Sequence, residues 1–283
     1  MNRQLPKAYI FGVSHTLDKV FASIEEHYEV LGFVDNDKTK WGTRYNGITI
    51  SAPDILREAE FDTVINIVTT ALNDVTNQLM SLGIRKNCID TSFVSVAVNG
   101  RIAFLEGLSE LFRENKIIGC TAECGVFQGD FAKQINRVFP DSKLYLFDTF
   151  SGFDIRDEKI EEREHFSAKG QGKHFHMTSE ELVRSKLLYP NMAVFKKGYF
   201  LETITGIKEY FKFVHLDFDL YEPTLAALHY FIPNMVPGGV ILVHDYFSDV
   251  YKGVRKAVHT FETTNVKLRY LPIGDGYSIA IKF

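Results

Sequence analysis

Glu123-Cys124-Gly125-Val126-Phe127-Gln128-Gly129 lies between an apolar run, GCTAECGV (119–126), and a stretch with helical spacing, DFAKQINRVF (130–139). A strand that stops on glycines and passes directly into a helix brings bare backbone, and the helix N-terminus, against a ligand. The pattern is ExGxxxG rather than GxGxxG. A pyrophosphate needs more bare backbone, so the turn favours an adenosyl ligand without phosphates. The next strand, KLYLFDTF (143–150), ends on Asp148 and Thr149. A carboxylate at that point can accept from both hydroxyls of a ribose. The motif alone is equally the signature of a structural strand-to-helix turn. Asp148 tips the reading toward a cofactor site made of Glu123, Gly125, Gly129, Asp148 and Thr149.

Outward from this turn the α/β pattern repeats. A helix, IAFLEGLSELFRENK (102–116), precedes it. Strand candidates follow at MAVFKKG (192–198), KFVHLDFD (212–219) and GVILVHDYF (239–247), and KLRYLP (267–272) with YSIAIKF (277–283) reads as a hairpin. Strands separated by helices imply a doubly wound parallel sheet. Residues 102–283 are therefore expected to form one domain. Upstream, AYIFGVS (8–14), YEVLGFVDND (28–37) and DTVINIVT (62–69) read as strands, with helices expected at 17–27, 51–59 and 72–83. That predicts a second, smaller Rossmann-like domain over 1–98, with polar Asn99-Gly100-Arg101 as the boundary. Residues 154–180 are charge-dense and glycine-containing, and are expected to be a mobile lid or disordered. His174 and His176 within them would reach an acceptor on lid closure or stay solvated.

Asp217 and Asp219 end one strand candidate, and His244-Asp245 end a neighbouring one after the Pro237-Gly238-Gly239 turn. Ligands bind at strand C-terminal ends in open α/β sheets, and strand alternation would place Asp217 and Asp219 on one side. Carboxylate oxygens suit Mg²⁺. A cation there would lower the pKa of an alkyl hydroxyl before it attacks a methyl carbon and would fix two vicinal oxygens. His215 reads as a packed strand residue. The aromatic excess, 24 Phe and 13 Tyr, is mostly core, although Tyr221 and Tyr246 flank the acids and could shape an acceptor pocket.

The run Glu123 to Phe153, KKGYFLETI (196–204), HLDFDLYEPTLAALHYFIPNMVPGGVILVHDYF (215–247) and YKGVRKAV (251–258) together resemble the macrocin O-methyltransferase family. The resemblance implies a class I methyltransferase fold, a mostly parallel sheet finished by an antiparallel pair. It also implies S-adenosylmethionine, a magnesium-type cation and a hydroxyl acceptor, commonly on a sugar. By the same resemblance Asp217, His244 and Asp245 match the metal ligands and Asp219 the general base, while Gly198 would sit on a strand facing the cofactor. The family usually shows two aspartates where this chain has His244-Asp245. Histidine is a softer ligand, shifting preference toward Mn²⁺, Fe²⁺ or Zn²⁺. It could instead serve as base, or mark a lost metal.

Residues 8–83, through YIFGVS, VLGFVDNDKTKWG, NGITISAPDIL, FDTVINIV and QLMSLGI, resemble the small N-terminal domain of sugar acyltransferases that act on nucleotide-sugars. Asp35, Asn36 or Asp37 would then bind a ribose and Ser14 or His15 a phosphate, or the domain is a scaffold or dimerisation unit. The pairing of the two resemblances points to polysaccharide or glycoconjugate assembly. A net charge of −4 supplies no basic field for nucleic acid. No apolar run is long enough to span a bilayer, and the N-terminus shows no secretory leader. Three cysteines without a CxxC pair suit a reducing cytoplasm and are expected to be buried apolar groups. The expected activity is methyl transfer to a sugar or nucleotide-sugar hydroxyl. Two readings stay open beside it: a nucleotide-sugar oxidoreductase, or a non-catalytic scaffold with a degenerate site. Homo-oligomerisation is open too.

Overall fold

In KLYLFD, Leu144 and Leu146 face one way and Tyr145 and Phe147 the other, and all four are buried. A strand apolar on both faces needs helices on both sides of its sheet. The computed structural model, which describes residues 5–167 and 173–283, satisfies that demand twice. It divides into units Met1–Asn99 and Gly100–Phe283, each with its own sheet.

The first unit comprises β1 (Lys7–Phe11), α1 (His15–Glu25), β2 (Glu29–Val34), β3 (Arg44–Tyr45), β4 (Ile48–Ser51), β5 (Thr63–Asn66), α2 (Leu72–Ser81) and β6 (Ile89–Asp90). Strand order is β3-β4-β2-β1-β5-β6, parallel apart from the β3–β4 hairpin. Leu17, Phe21 and Ile24 of α1 pack on Ile10, Phe33 and Ile65, while Val75 and Leu79 of α2 pack on Phe11, Val34 and Val64 of the opposite face. The helix expected over 51–59 is only a 3₁₀ turn, Pro53–Arg57, in which Pro53 and Leu56 alone are buried. Without a second apolar turn nothing repays helix nucleation. The β3–β4 hairpin was not expected. Its Asn46-Gly47 turn has φ of +47° and +81°, the left-handed pair that an Asn-Gly hairpin uses.

A long helix, α3 (Ser92–Glu114), carries the chain into the second unit. Asn99-Gly100-Arg101 therefore lie inside a helix, and the division of the chain falls between Asn99 and Gly100. Then follow β7 (Cys120–Cys124), α4 (Asp130–Val138), β8 (Leu144–Asp148), α5 (Ile155–Glu164), α6 (Glu180–Lys186), β9 (Ala193–Lys197), α7 (Phe200–Thr203), β10 (Phe211–Leu216), α8 (Tyr221–Phe231), β11 (Met235–Val243), α9 (Lys252–Thr264), β12 (Tyr270–Pro272) and β13 (Ile279–Lys282). The order is β12-β13-β11-β10-β7-β8-β9. Strands β7 to β11 are mutually parallel, and β13 pairs antiparallel with β11 and β12. This is the expected parallel sheet closed by an antiparallel pair.

The stretch read as a lid or as disorder departs from expectation. Asp154 caps α5 by accepting from the Arg156 amide, and the helix buries polar rather than apolar groups. Asp157 accepts from the Tyr199 hydroxyl at 3.1 Å and Glu161 from the Tyr221 amide at 2.7 Å. Hydrophobic patterning cannot register a helix held this way. Residues 168–172 lie outside the described residues. Cys120 and Cys124 are buried and Cys88 is half-buried. Among the described residues, no helix is long and apolar enough to cross a membrane.

Candidate active site

At the carboxyl ends of β7, β8, β9 and β10 the second unit opens a cleft, the place where open α/β sheets bind ligands. Its wall includes Gly125, Asp148, Thr149, Gly198, Asp217 and Asp219. Glu123, Gly129, His244 and Asp245, expected at the same site, are not part of that wall. Gly125 is left-handed (φ +82°), and a Cβ there would lie 2.1 Å from the Asp217 carbonyl oxygen. Only glycine allows the turn to pass so close. Gly129, also left-handed, caps α4 and leaves room for the Val183 methyls. Gly198 lies just past β9 rather than on it, donating its amide to the Asp148 carbonyl at 3.0 Å.

The Asp148 carboxylate accepts from the amides of Val126 (2.7 Å), Phe127 (2.8 Å) and Phe150 (2.6 Å). It thus ties the glycine turn to the end of β8. Burial raises its pKa, and those three N–H donors oppose the rise. Thr149 shapes the same loop by donating to the Gly152 carbonyl. Phe127, Phe150, Asp219 and Asp245 all have positive φ, a costly conformation for side-chain-bearing residues that gathers at functional sites.

The acids are brought together, though not by strand alternation. β10 ends at Leu216, and Asp217 and Asp219 lie in the segment beyond it, Asp219 with φ of +64°. His244 Nδ1 is 2.7 Å from Asp217 Oδ1 and 2.7 Å from Asp245 Oδ2. Burial and Arg101 push the His244 pKa down, but the two carboxylates raise it to about 9. At neutral pH it is an imidazolium bridging two carboxylates. Burial raises Asp217, yet His244, His215 and Arg101 hold it well below the carboxylate range. Burial, then Asp245 and Asp217, push the Asp219 carboxyl well above the usual carboxylate range. Donor atoms of Asp217, His244 and Asp245 lie within 4.8 Å of one another. Two carboxylates and one imidazole so close together fit a divalent cation when the His244 ring is neutral.

Glu123 is buried behind the cleft with its Oε1 3.2 Å from His215 Nδ1. His215 is fully buried in β10, and burial lowers its pKa to about 3. Arg101, read from sequence as a polar boundary residue, points its guanidinium at Asp217 Oδ2 (3.3 Å) and lies over the Phe131 ring. Nothing in sequence spacing connects it to a strand end so far along the chain. Asp157 was also missed. It lines the cleft, and burial raises its pKa to about 7. Phe127, Phe153, Phe175 and Tyr199 give the cleft an aromatic wall. By contrast, Tyr221 and Tyr246 are absent from the wall, and their hydroxyls meet Thr260, and His259 with Tyr270, respectively. Phe175, from the presumed lid, packs on Phe127 and Phe153 at 5.1 Å from each, and His176 is exposed. The side chains of His15 and His174 lie outside the described residues. In the first unit the Asp35 carboxylate is engaged by Val13 N, Asp37 N and Lys40 Nζ, each at 2.8 Å. A ribose there would have to displace these partners.

Residues 49–270 match the family model described as Macrocin-O-methyltransferase (TylF). Residues 4–89 match that described as C2185-like, N-terminal. A curated relative is the 8-demethyl-8-(2,3-dimethoxy-alpha-L-rhamnosyl)-tetracenomycin-C 4'-O-methyltransferase of Streptomyces olivaceus. It is 26% identical over 175 residues, 57% of this chain, and the chain spans 64% of that relative's length. Among solved structures, the O-methyltransferase NovP matches with TM-score 0.52 and 22% identity, over 65% of this chain and 79% of that one. The calicheamicin methyltransferase CalS11 matches with TM-score 0.52 and 20% identity, over 77% and 86%. At such identities these two structures share the fold.

Proposed function

This chain belongs to the macrocin-O-methyltransferase family, and from that membership we propose that it transfers the methyl group of S-adenosylmethionine to a sugar hydroxyl, assisted by a divalent cation. The carrying observation is a single cleft wall that combines the glycine turn and Asp148 with Asp217 and Asp219. S-adenosylmethionine supplies an electrophilic sulfonium methyl, and a cation on Asp217, His244 and Asp245 would lower the pKa of the acceptor hydroxyl.

The chain's own groups divide the remaining work. Gly125 lets the turn lie against the Asp217 carbonyl, and Asp148, with its three amide donors, fixes the loop against which an adenosyl group would lie. Phe127, Phe153, Phe175 and Tyr199 offer ring faces and exclude water. As the acceptor hydroxyl took the methyl group that S-adenosylmethionine would supply, leaving S-adenosylhomocysteine, its proton would pass to a carboxylate of the cleft wall. Asp219, in the wall beside Asp217, would receive that proton in its deprotonated form. His244 is held protonated between two acids, so it serves as a ligand only after giving up that proton. The imidazole favours Mn²⁺ or Fe²⁺ more than an all-oxygen set would, with Mg²⁺ the hard-cation alternative.

Rhamnosyl glycosides are the first acceptors to try, because the curated relative's name describes methylation of one. Incubation with S-adenosylmethionine, Mg²⁺ or Mn²⁺ and a panel of glycosides and nucleotide-sugars is read by mass spectrometry for a methyl ether and S-adenosylhomocysteine. Asp217→Asn is expected to abolish turnover while leaving S-adenosylhomocysteine binding intact. An active variant refutes the cation role, and a wild-type protein that binds no S-adenosylhomocysteine refutes the proposal.

A further inference from the structure

Behind the cleft, two polar side chains are buried together with no solvent contact. Glu123 on β7 is 2% exposed and His215 on β10 is 0% exposed. Their strands are neighbours in the sheet and these two residues are directly paired in register. One oxygen of Glu123 lies 3.2 Å from His215 Nδ1, while Glu123 Oε2 and His215 Nε2 have no hydrogen-bond partner. Burying unpartnered polar atoms is destabilising, so this arrangement calls for a use beyond packing. The direction of the histidine supplies it. His215 Nε2 faces Asp217 Oδ2 at 3.8 Å.

The two oxygens of Asp217 therefore have different surroundings. Oδ1 faces His244 Nδ1, at 2.7 Å. Oδ2 faces away from that cluster, toward Arg101 at 3.3 Å and His215 at 3.8 Å. Groups behind a ligating carboxylate orient it, and their loss typically weakens metal binding 10–100-fold. We propose that Glu123 and His215 are a buried positioning pair for Asp217, in which Glu123 fixes the orientation of the His215 ring and the ring fixes the Asp217 carboxylate for a divalent cation. Glu123 then serves the cation half of the site from behind rather than touching the cofactor. The inference rests on the reading of Asp217 as a cation ligand.

The test separates the two ideas. Mn²⁺ affinity is measured on the full chain by the electron paramagnetic resonance of free Mn²⁺, and S-adenosylhomocysteine affinity by calorimetry, for wild type, Glu123→Gln, His215→Gln and Asp217→Asn. Glu123→Gln and His215→Gln are expected to bind Mn²⁺ 10–100-fold more weakly, with S-adenosylhomocysteine affinity within about twofold of wild type. Unchanged Mn²⁺ affinity in both, with loss in Asp217→Asn, overturns the pairing and leaves the cation site standing. Loss of S-adenosylhomocysteine binding alone in Glu123→Gln also overturns it and returns Glu123 to the cofactor. Wild-type Mn²⁺ affinity in Asp217→Asn refutes the cation reading itself. Should the buried variants not fold, wild-type protein labelled with ¹⁵N-histidine decides. Mg²⁺ is expected to shift the His215 ring resonances together with those of His244, and a shift confined to His244 overturns the proposal.

Discussion

Replacing Gly125 with alanine tests how closely the two halves of the site are coupled. The residue has φ of +82°, and its added Cβ would sit 2.1 Å from the Asp217 carbonyl oxygen and 2.7 Å from its carbonyl carbon. A left-handed backbone costs an L-residue roughly 1–2 kcal/mol, and forcing a methyl into packed surroundings costs about 1–3 kcal/mol more. The obstacle is backbone, so no rotamer change relieves it. Asp217 must move, and its amide bond to the Cys124 carbonyl, 2.8 Å long, moves with it. The sum, on the order of 2–5 kcal/mol, corresponds to a fall in Tm of roughly 4–20 °C for a unit of this size. Displacing Asp217 should also weaken Mn²⁺ binding, although the substitution lies on the cofactor turn. Differential scanning calorimetry with paired Mn²⁺ and S-adenosylhomocysteine titrations reads all three effects. A variant that melts within 1 °C or so of wild type and binds both ligands normally refutes the steric argument.

Asp148→Asn turns one acceptor oxygen into a donor facing amide hydrogens, and is expected to lower Tm and weaken S-adenosylhomocysteine binding at least about tenfold by calorimetry. Unchanged affinity removes Asp148 from the cofactor site. Asp157 is surrounded by the Tyr199 hydroxyl, Asp154, Glu222 and Arg156. Its folded pKa of about 7 lies above the usual 3.8, so the folded chain keeps a proton that the unfolded chain has released. Stability from this group therefore falls as pH rises from about 4 to 7, and Asp157→Asn should flatten that part of the Tm-against-pH profile. Parallel profiles contradict the assignment. Gly107 lies inside α3 with nothing within 4 Å of an added Cβ, so Gly107→Ala should stabilise by about 0.5–1 kcal/mol, read as a small rise in Tm.

The sequence alone determined what depends on local pattern. Alternating apolar residues announced the strands, because a strand buried on both faces must be apolar along both. The glycines at 125 and 129, with an acid ending the next strand, announced the turn. Asp148, Asp217 and Asp245 fell at strand ends, where open α/β sheets bind their ligands. What local pattern could not show was every residue whose role depends on a distant partner. Helix α5 buries carboxyls that meet the Tyr199 hydroxyl and the Tyr221 amide, so its sequence resembled a solvated loop. Arg101 looked like a polar break, yet it faces an aspartate 116 positions away. Glu123 was read as a cofactor contact from its place in ExGxxxG, and local pattern gave no sign that the pairing of β7 with β10 sets it beside His215. Tertiary structure decided these because a buried charge or hydrogen bond takes its meaning from what folding brings beside it, and that partner is absent from its own stretch of chain.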